Sequence, residues 1–123
     1  MSLQTFGKSE RLHKKKEIKE LFDKGSSFYL YPFKVLHLTA KEETVNPKIL
    51  ISVSKRSFKR AVDRNKVKRL IREAYRINKH NIQSKQNLLI AYIYTPKEIL
   101  SFSLIEKKLK QVLSRLNDYY TDK

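Results

Sequence analysis

Between Lys55 and Lys79 the chain carries eleven cations: Lys55, Arg56, Lys59, Arg60, Arg64, Lys66, Lys68, Arg69, Arg72, Arg76 and Lys79. Only Asp63 and Glu73 oppose them, a surplus of nine within a chain whose formal charge is +16. The chemistry open to such a segment is the neutralisation of phosphates, because a run of Lys and Arg releases the counterions that a polyanion condenses. Like charges also recur at i and i+4 (Arg64 and Lys68, Lys68 and Arg72, Arg72 and Arg76). Each such pair costs roughly a few tenths of a kcal/mol in an isolated helix. Repulsion left uncompensated within the chain points to a partner that supplies the anions.

Other chemistry has little to stand on. His13, His37 and His80 are scattered and lack metal-ligand spacing, and the chain has no cysteine for a thiolate site, a nucleophile or a disulfide. No Ser/His/Asp order or carboxylate pair suggests a catalytic set, and Asp63 and Glu73 read as local charge balance. Gly7 and Gly25 are the only glycines, so no glycine-rich loop can cradle a phosphate.

The elements that must position the cations follow from periodicity. Laid on a helical wheel from Arg64 to Lys79, Val67, Leu70, Ile71, Ala74 and Ile77 fall in one arc. Asn65, Lys68, Arg69, Arg72, Arg76 and Lys79 fall in the opposite arc, so the helix packs by one stripe and shows a cationic ridge. Upstream, Lys14–Lys24 places Ile18, Leu21 and Phe22 at helical spacing, with Gly25 as a stop. Phe28–Thr39 reads as a strand whose first part Pro32 confines to an edge or bulge. Its alternation puts Phe33, Val35 and His37 on one face and Lys34, Leu36 and Leu38 on the other. After a turn over Lys41–Lys48, marked by Asn46-Pro47, a strand Ile49–Ser54 alternates Ile49, Ile51 and Val53 against Leu50, Ser52 and Ser54. A hairpin is expected to join these two strands. Leu88–Tyr94 is a near-continuous apolar strand, and Ser103-Leu104-Ile105-Glu106 has the capping-box pattern ahead of a last helix through Leu116.

The order is αββαβα, an α+β domain with a central sheet packed by helices. At 123 residues a single domain is expected over 1–123, with an ordered core of about 10–116 and short flexible ends. A hydrophobic fraction of 40% supports a folded core. No apolar run approaches the ~18 residues of a membrane span, and Met1 to Lys16 holds no apolar signal stretch, so a soluble cytoplasmic protein is expected.

The run from Lys55 to Arg76, Lys-Arg-Ser-Phe-Lys-Arg-Ala-Val-Asp-Arg-Asn-Lys-Val-Lys-Arg-Leu-Ile-Arg-Glu-Ala-Tyr-Arg, resembles the signature of the bacterial ribonuclease P protein component. That family has Arg-Asn-Arg where this chain has Arg64-Asn65-Lys66, a change that keeps the charge but not the bidentate fork. Ile51–Arg56 is similar to the family's strand leading into the motif, Glu17–Gly25 to its first helix and Leu88–Ala91 to its last strand, over roughly residues 10–115. Ile18 stands where many relatives carry Phe, and Tyr92 where a basic residue is common.

The resemblance implies a ribosomal-protein-like two-layer fold with a left-handed βαβ crossover around the motif helix. It implies RNA binding by Lys55, Arg56, Lys59, Arg60, Arg64, Asn65, Lys66, Lys68, Arg69, Arg72 and Arg76, with ribonuclease P RNA as partner. It also implies a cleft for the single-stranded 5′ leader of precursor tRNA between the first helix, the motif helix and the sheet. Ile18, Phe22, Lys34, Leu36, Ser52 and Ser54 are its expected lining, and Tyr92 its expected neighbour. Phe22 reads equally as a base-stacking residue or as core. No catalytic residue, metal ligand, membrane or small-molecule cofactor is expected of this chain; Mg²⁺ would be required by the RNA-containing holoenzyme.

Charge and size alone also suit an rRNA-binding structural protein. A helix-turn-helix DNA binder is disfavoured because a strand, not a helix, precedes the motif. A membrane-surface helix would need an exposed aromatic anchor that the motif helix lacks.

Overall fold

The computed structural model describes residues 11–40, 47–81 and 87–121. The loose arm expected over residues 1–10, the turn residues 41–46 and the end at 122–123 lie outside the described residues.

Among the described residues three helices and four strands follow in the order α1 (Lys15–Lys24), β1 (Ser26–Leu30), β2 (Phe33–Thr39), β3 (Lys48–Val53), α2 (Ala61–Asn78), β4 (Leu88–Tyr94) and α3 (Phe102–Thr121), with a short 3-10 turn at Lys79–Asn81. One expected strand is two: the chain reverses at Tyr31-Pro32, a cis peptide, and β1 pairs antiparallel with β2 from Ser26 opposite His37 to Leu30 opposite Phe33.

The sheet order is β1-β2-β4-β3, which overturns the expected hairpin between β2 and β3. β4 lies between them, antiparallel to β2 and parallel to β3. Composition explains the choice. Every residue of β4 except Ile93 is buried, so this apolar run needs cover on both faces and takes the centre. β3 carries Lys48 and Ser52, both only half-buried, and suits an edge.

Helices cover both faces. On one, α2 and α3 pack Val67, Ile71, Ala74, Tyr75, Ile105, Leu109, Val112, Leu113 and Leu116 against Phe33, Val35, Ile49, Val53, Ile90, Tyr92 and Tyr94. On the other, α1 places Leu21 and Ile18 on Leu36, Leu50, Leu89 and Ala91, with Leu12 beside them and half-buried Ile93 at the cluster's margin. Lys48 Nζ donates to Glu17 Oε1 at 3.3 Å and ties α1 to β3.

Gly25 ends α1 in extended backbone, and its N–H donates to the Leu21 carbonyl at 2.9 Å. A Cβ there would run into that carbonyl and sit 3.1 Å from the His37 carbonyl, so close approach demands the glycine.

α2 starts three residues before Arg64, and its buried side turns toward α3. Tyr75 and Asn78 join the interior while Leu70 and Ile77 are only half-buried. Asn78 Nδ2 donates to Ala74 O at 2.8 Å and to Glu106 Oε2 at 3.0 Å, so the buried amide donor is satisfied by its own helix and by α3. Glu106 therefore does not complete a capping box. The cap is Ser101, whose Oγ accepts from the Leu104 N–H at 3.2 Å, two residues before the expected Ser103.

The helix also runs past the expected limit at 116. Tyr119 and Tyr120 hold its end on the sheet by edge-on contacts with buried His37, at ring-centroid distances of 4.7 and 5.4 Å. The Tyr120 hydroxyl lies 2.7 Å from His37 Nδ1. Burial raises the Tyr120 phenol to about 12 and lowers the His37 imidazole.

Candidate RNA interface

The loop into α2 is built by the motif's own residues. Phe58 is buried with its ring 6.2 Å from that of Tyr94, and its N–H donates to the Ser54 carbonyl at 3.2 Å. Arg64 Nη1 donates to the carbonyls of Phe58 at 2.8 Å and Lys59 at 3.0 Å. Half-buried Arg64 thus fastens the loop across the first turn of α2, while Lys55, Arg56, Lys59 and Arg60 stand exposed around it.

The three residues of Arg64-Asn65-Lys66 diverge. Arg64 turns back into the loop, Lys66 is exposed to solvent, and Asn65 lines a groove along the outer edge of β3. That groove, of about 280 Å³, is walled by Asn65, Lys68 and Arg72 of α2 and floored by Leu12, Ile49, Leu50 and Ile51. Positions 65, 68 and 72 form one helical stripe, so the wall is a direct consequence of the 3.6-residue period. Arg11 closes the groove from the opposite side, held there by a parallel bridge to Ile49. Arg11 did not emerge from the sequence, since nothing local signals that a residue ahead of α1 joins β3.

Not every cation is equally available. Arg76 pairs with Glu73 one turn earlier through both guanidinium and carboxylate atoms, with Nε to Oε2 at 3.1 Å. The Arg76 hydrogen bonds hold the Glu73 carboxyl below its usual range and raise Arg76 in turn. Arg72 Nε reaches the Lys68 carbonyl at 3.4 Å, and Arg69 is exposed.

On the α1 side of the sheet, register creates a second feature. Lys34 pairs with Ile93, and Ile93 pairs with Ser52, so the three side chains form a row across β2, β4 and β3. The next row, Leu36, Ala91 and Leu50, lies beneath α1. The Lys34–Ile93–Ser52 row is thus the first not roofed by the helix: Lys34 is exposed, and Ile93 and Ser52 are half-buried. Phe22, one turn beyond Ile18 on the same side of α1, is 48% exposed and is not core. The strip and the groove meet at β3, where Ser52 follows the groove's floor.

Three residues expected to line a cleft have other duties. Leu36 is buried under α1, and Ile18 packs into the same cluster as wall rather than open surface. Ser54 spends its hydroxyl on the turn, accepting from the Ser57 N–H and donating to Ser57 Oγ, both at 3.2 Å. Tyr92 is not a neighbour of the strip: it is wholly buried on the opposite face between Phe33 and Tyr75. Strict alternation gives the strip Ile93 instead, a residue the sequence reading passed over because it did not place β4 beside β2.

Among the described residues no three His, Asp or Glu side chains gather as ligands for a metal ion, and no helix is long and apolar enough to cross a membrane.

Known proteins share this fold. The Ribonuclease P family model matches residues 6–117. A ribonuclease P protein component from Porphyromonas gingivalis is 41% identical over 120 residues, covering 91% of this chain and 88% of the relative. An RNase P protein from Staphylococcus aureus superposes with a TM-score of 0.74 at 30% identity, covering 87% of this chain and 94% of that one. The RNase P protein from Thermotoga maritima does so with 0.73 at 29%, covering 86% and 96%.

Proposed function

This chain belongs to the ribonuclease P protein family, and on that premise we propose that it is the protein subunit of a ribonucleoprotein endoribonuclease that removes the 5′ leader of precursor tRNA. Its partners are ribonuclease P RNA and the precursor. The exposed cations of α2 and its preceding loop bind the RNA by phosphate neutralisation, and the strip on the α1 side holds the single-stranded leader.

One observation carries the leader reading. Register sets Lys34, Ile93 and Ser52 in an open row, and Phe22, one turn beyond the Ile18 that shares a cluster with Ile93, keeps its ring exposed. A cation for phosphate, an aromatic face for a base and a half-polar floor suit single-stranded RNA without reading its sequence. An enzyme that serves many precursors requires that tolerance.

In this reading the chemistry belongs to the RNA partner. Mg²⁺ is assigned to RNA and substrate phosphates, the oxygen donors that this hard cation favours. The protein contributes positive charge that offsets phosphate repulsion, raises precursor affinity and lowers the Mg²⁺ concentration needed. Neither a small-molecule cofactor nor a membrane enters this scheme, and the cytoplasm, where tRNA precursors are processed, is its setting.

The test is reconstitution. Precursor-tRNA cleavage is measured at low Mg²⁺ and moderate salt with the cognate ribonuclease P RNA, with and without the protein. The reading expects a protein inert alone that restores leader removal by the RNA. Binding to both RNAs with unchanged cleavage would instead favour an rRNA-binding structural role.

A further inference from the structure

Tyr29 is a large side chain left in solvent and yet fixed by its hydroxyl. It lies on edge strand β1 and pairs with Lys34, which extends the open row to Tyr29–Lys34–Ile93–Ser52 across all four strands. Three inter-strand spacings separate its ends, roughly 14 Å. The phenol hydroxyl of Tyr29 lies 3.2 Å from Thr95 Oγ1, just beyond the end of β4. Thr95 is itself pinned: its Oγ1 and its N–H both donate to the Pro32 carbonyl, at 3.1 and 3.0 Å. The ring is therefore stretched from β1 toward β4 across the end of β2, with 56% of the residue still exposed.

Its position relative to α1 follows from the pairing. The Leu36–Ala91–Leu50 row lies beneath α1, the Lys34–Ile93–Ser52 row comes next, and Thr95 lies two residues further along. Tyr29 and Thr95 thus form the rim opposite Ile18 and Phe22. An exposed aromatic ring in a strand gains nothing from burial where it stands, and fixing it by its hydroxyl removes rotamer freedom before any ligand arrives.

We propose that Tyr29, held by Thr95, is a second base-stacking surface on the rim opposite Phe22, and that it binds a leader nucleotide beyond the one held at Phe22. The inference rests on the leader-binding reading above. Stacking on it is tolerant of base identity and, unlike a lysine contact, insensitive to salt.

The test uses holoenzyme reconstituted with the cognate RNA, and precursors whose leaders are trimmed stepwise to a very short stub. Tyr29→Ala weakens binding of long-leader precursor about tenfold and leaves short-leader precursor and mature tRNA unchanged. Tyr29→Phe keeps the ring and retains most of the long-leader affinity. Lys34→Ala lowers the salt dependence of long-leader binding, whereas Tyr29→Ala leaves that slope as it was. If Phe22→Ala and Lys34→Ala erase leader-dependent affinity while Tyr29→Ala does not, the Tyr29 assignment is overturned and the leader strip survives. If none of the three changes it, both fall. Equal loss for Tyr29→Ala at every leader length would also overturn the assignment, because stacking on a distal nucleotide cannot act where that nucleotide is missing.

Discussion

The guanidinium of Arg64 donates to the carbonyl oxygen of Phe58 at 2.8 Å, so the most recognisable arginine of the motif is also a brace for the loop that precedes it. A second bond runs from the same Nη1 to the Lys59 carbonyl at 3.0 Å, so one nitrogen spans two carbonyls at a reach that the shorter lysine side chain does not match. Arg64→Lys should therefore lower stability by ~1 kcal/mol, and Arg64→Ala by ~1–2 kcal/mol. Both should weaken RNA binding by more than the loss of one exposed charge. Urea denaturation and RNA titration at fixed salt check this; unchanged stability in Arg64→Ala would refute the brace.

The pairing of Arg76 with Glu73 predicts an unequal ridge. Arg69→Ala and Lys66→Ala should each reduce the slope of log affinity against log salt by about one, the signature of a lost phosphate contact. Arg76→Ala should reduce it less. Glu73→Gln should tighten ribonuclease P RNA binding by roughly twofold or more, because it removes an opposing charge. Slopes that fall equally for all three cations would contradict the distinction.

Tyr92 offers a test of the sheet's two sides. Its hydroxyl is buried and has no hydrogen-bond partner among the described residues, and burial together with the nearby Tyr75 phenol raises it well above its usual range. Tyr92→Phe removes a desolvated polar atom at nearly constant shape and should be neutral or stabilising. Tyr92→Arg would place an unpaired charge in the interior and cost at least ~3 kcal/mol. Thermal and chemical denaturation decide; a tolerated arginine would mean that the side chain reaches solvent.

Much of this was legible in the sequence. The alternation of β2 and β3 and the apolar run of β4 formed as their patterns dictate, while the stripe of α2 keeps Val67, Ile71 and Ala74 but turns toward Tyr75 and Asn78 and leaves Leu70 and Ile77 half-buried. Neighbour relations were less readable. The turn signal at Asn46-Pro47 suggested a hairpin between β2 and β3, but only the demand of β4 for cover on both faces puts it between them. From that one insertion follow the row through Ile93, the burial of Tyr92 and the meeting of strip and groove at β3. Ser101 displaced Ser103 as cap because Glu106 is needed by the buried Asn78 amide, a contact between residues 28 apart.

His37 gives stability a pH dependence. Its neutral form is favoured by burial among Phe28, Tyr119 and Tyr120. Its pKa in the folded state is lowered, so the unfolded chain binds the proton first as pH falls. The contribution is fully present above the unfolded value of ~6.5 and is lost progressively as pH drops toward the folded value. Stability measured from pH 7.5 to 5 should decline, and His37→Gln should flatten that decline. A wild-type curve that is level or rises toward acid would contradict it.

The leader strip is the central claim, and its most direct test is the affinity of reconstituted holoenzyme for precursor against mature tRNA, in wild type and in the Phe22→Ala, Lys34→Ala double variant. The geometry predicts that wild type prefers the precursor and that the double variant loses most of this preference while binding mature tRNA as before. An equal loss for both tRNAs would mean that Phe22 and Lys34 only support the fold or the RNA subunit, and an undiminished preference would place the leader elsewhere.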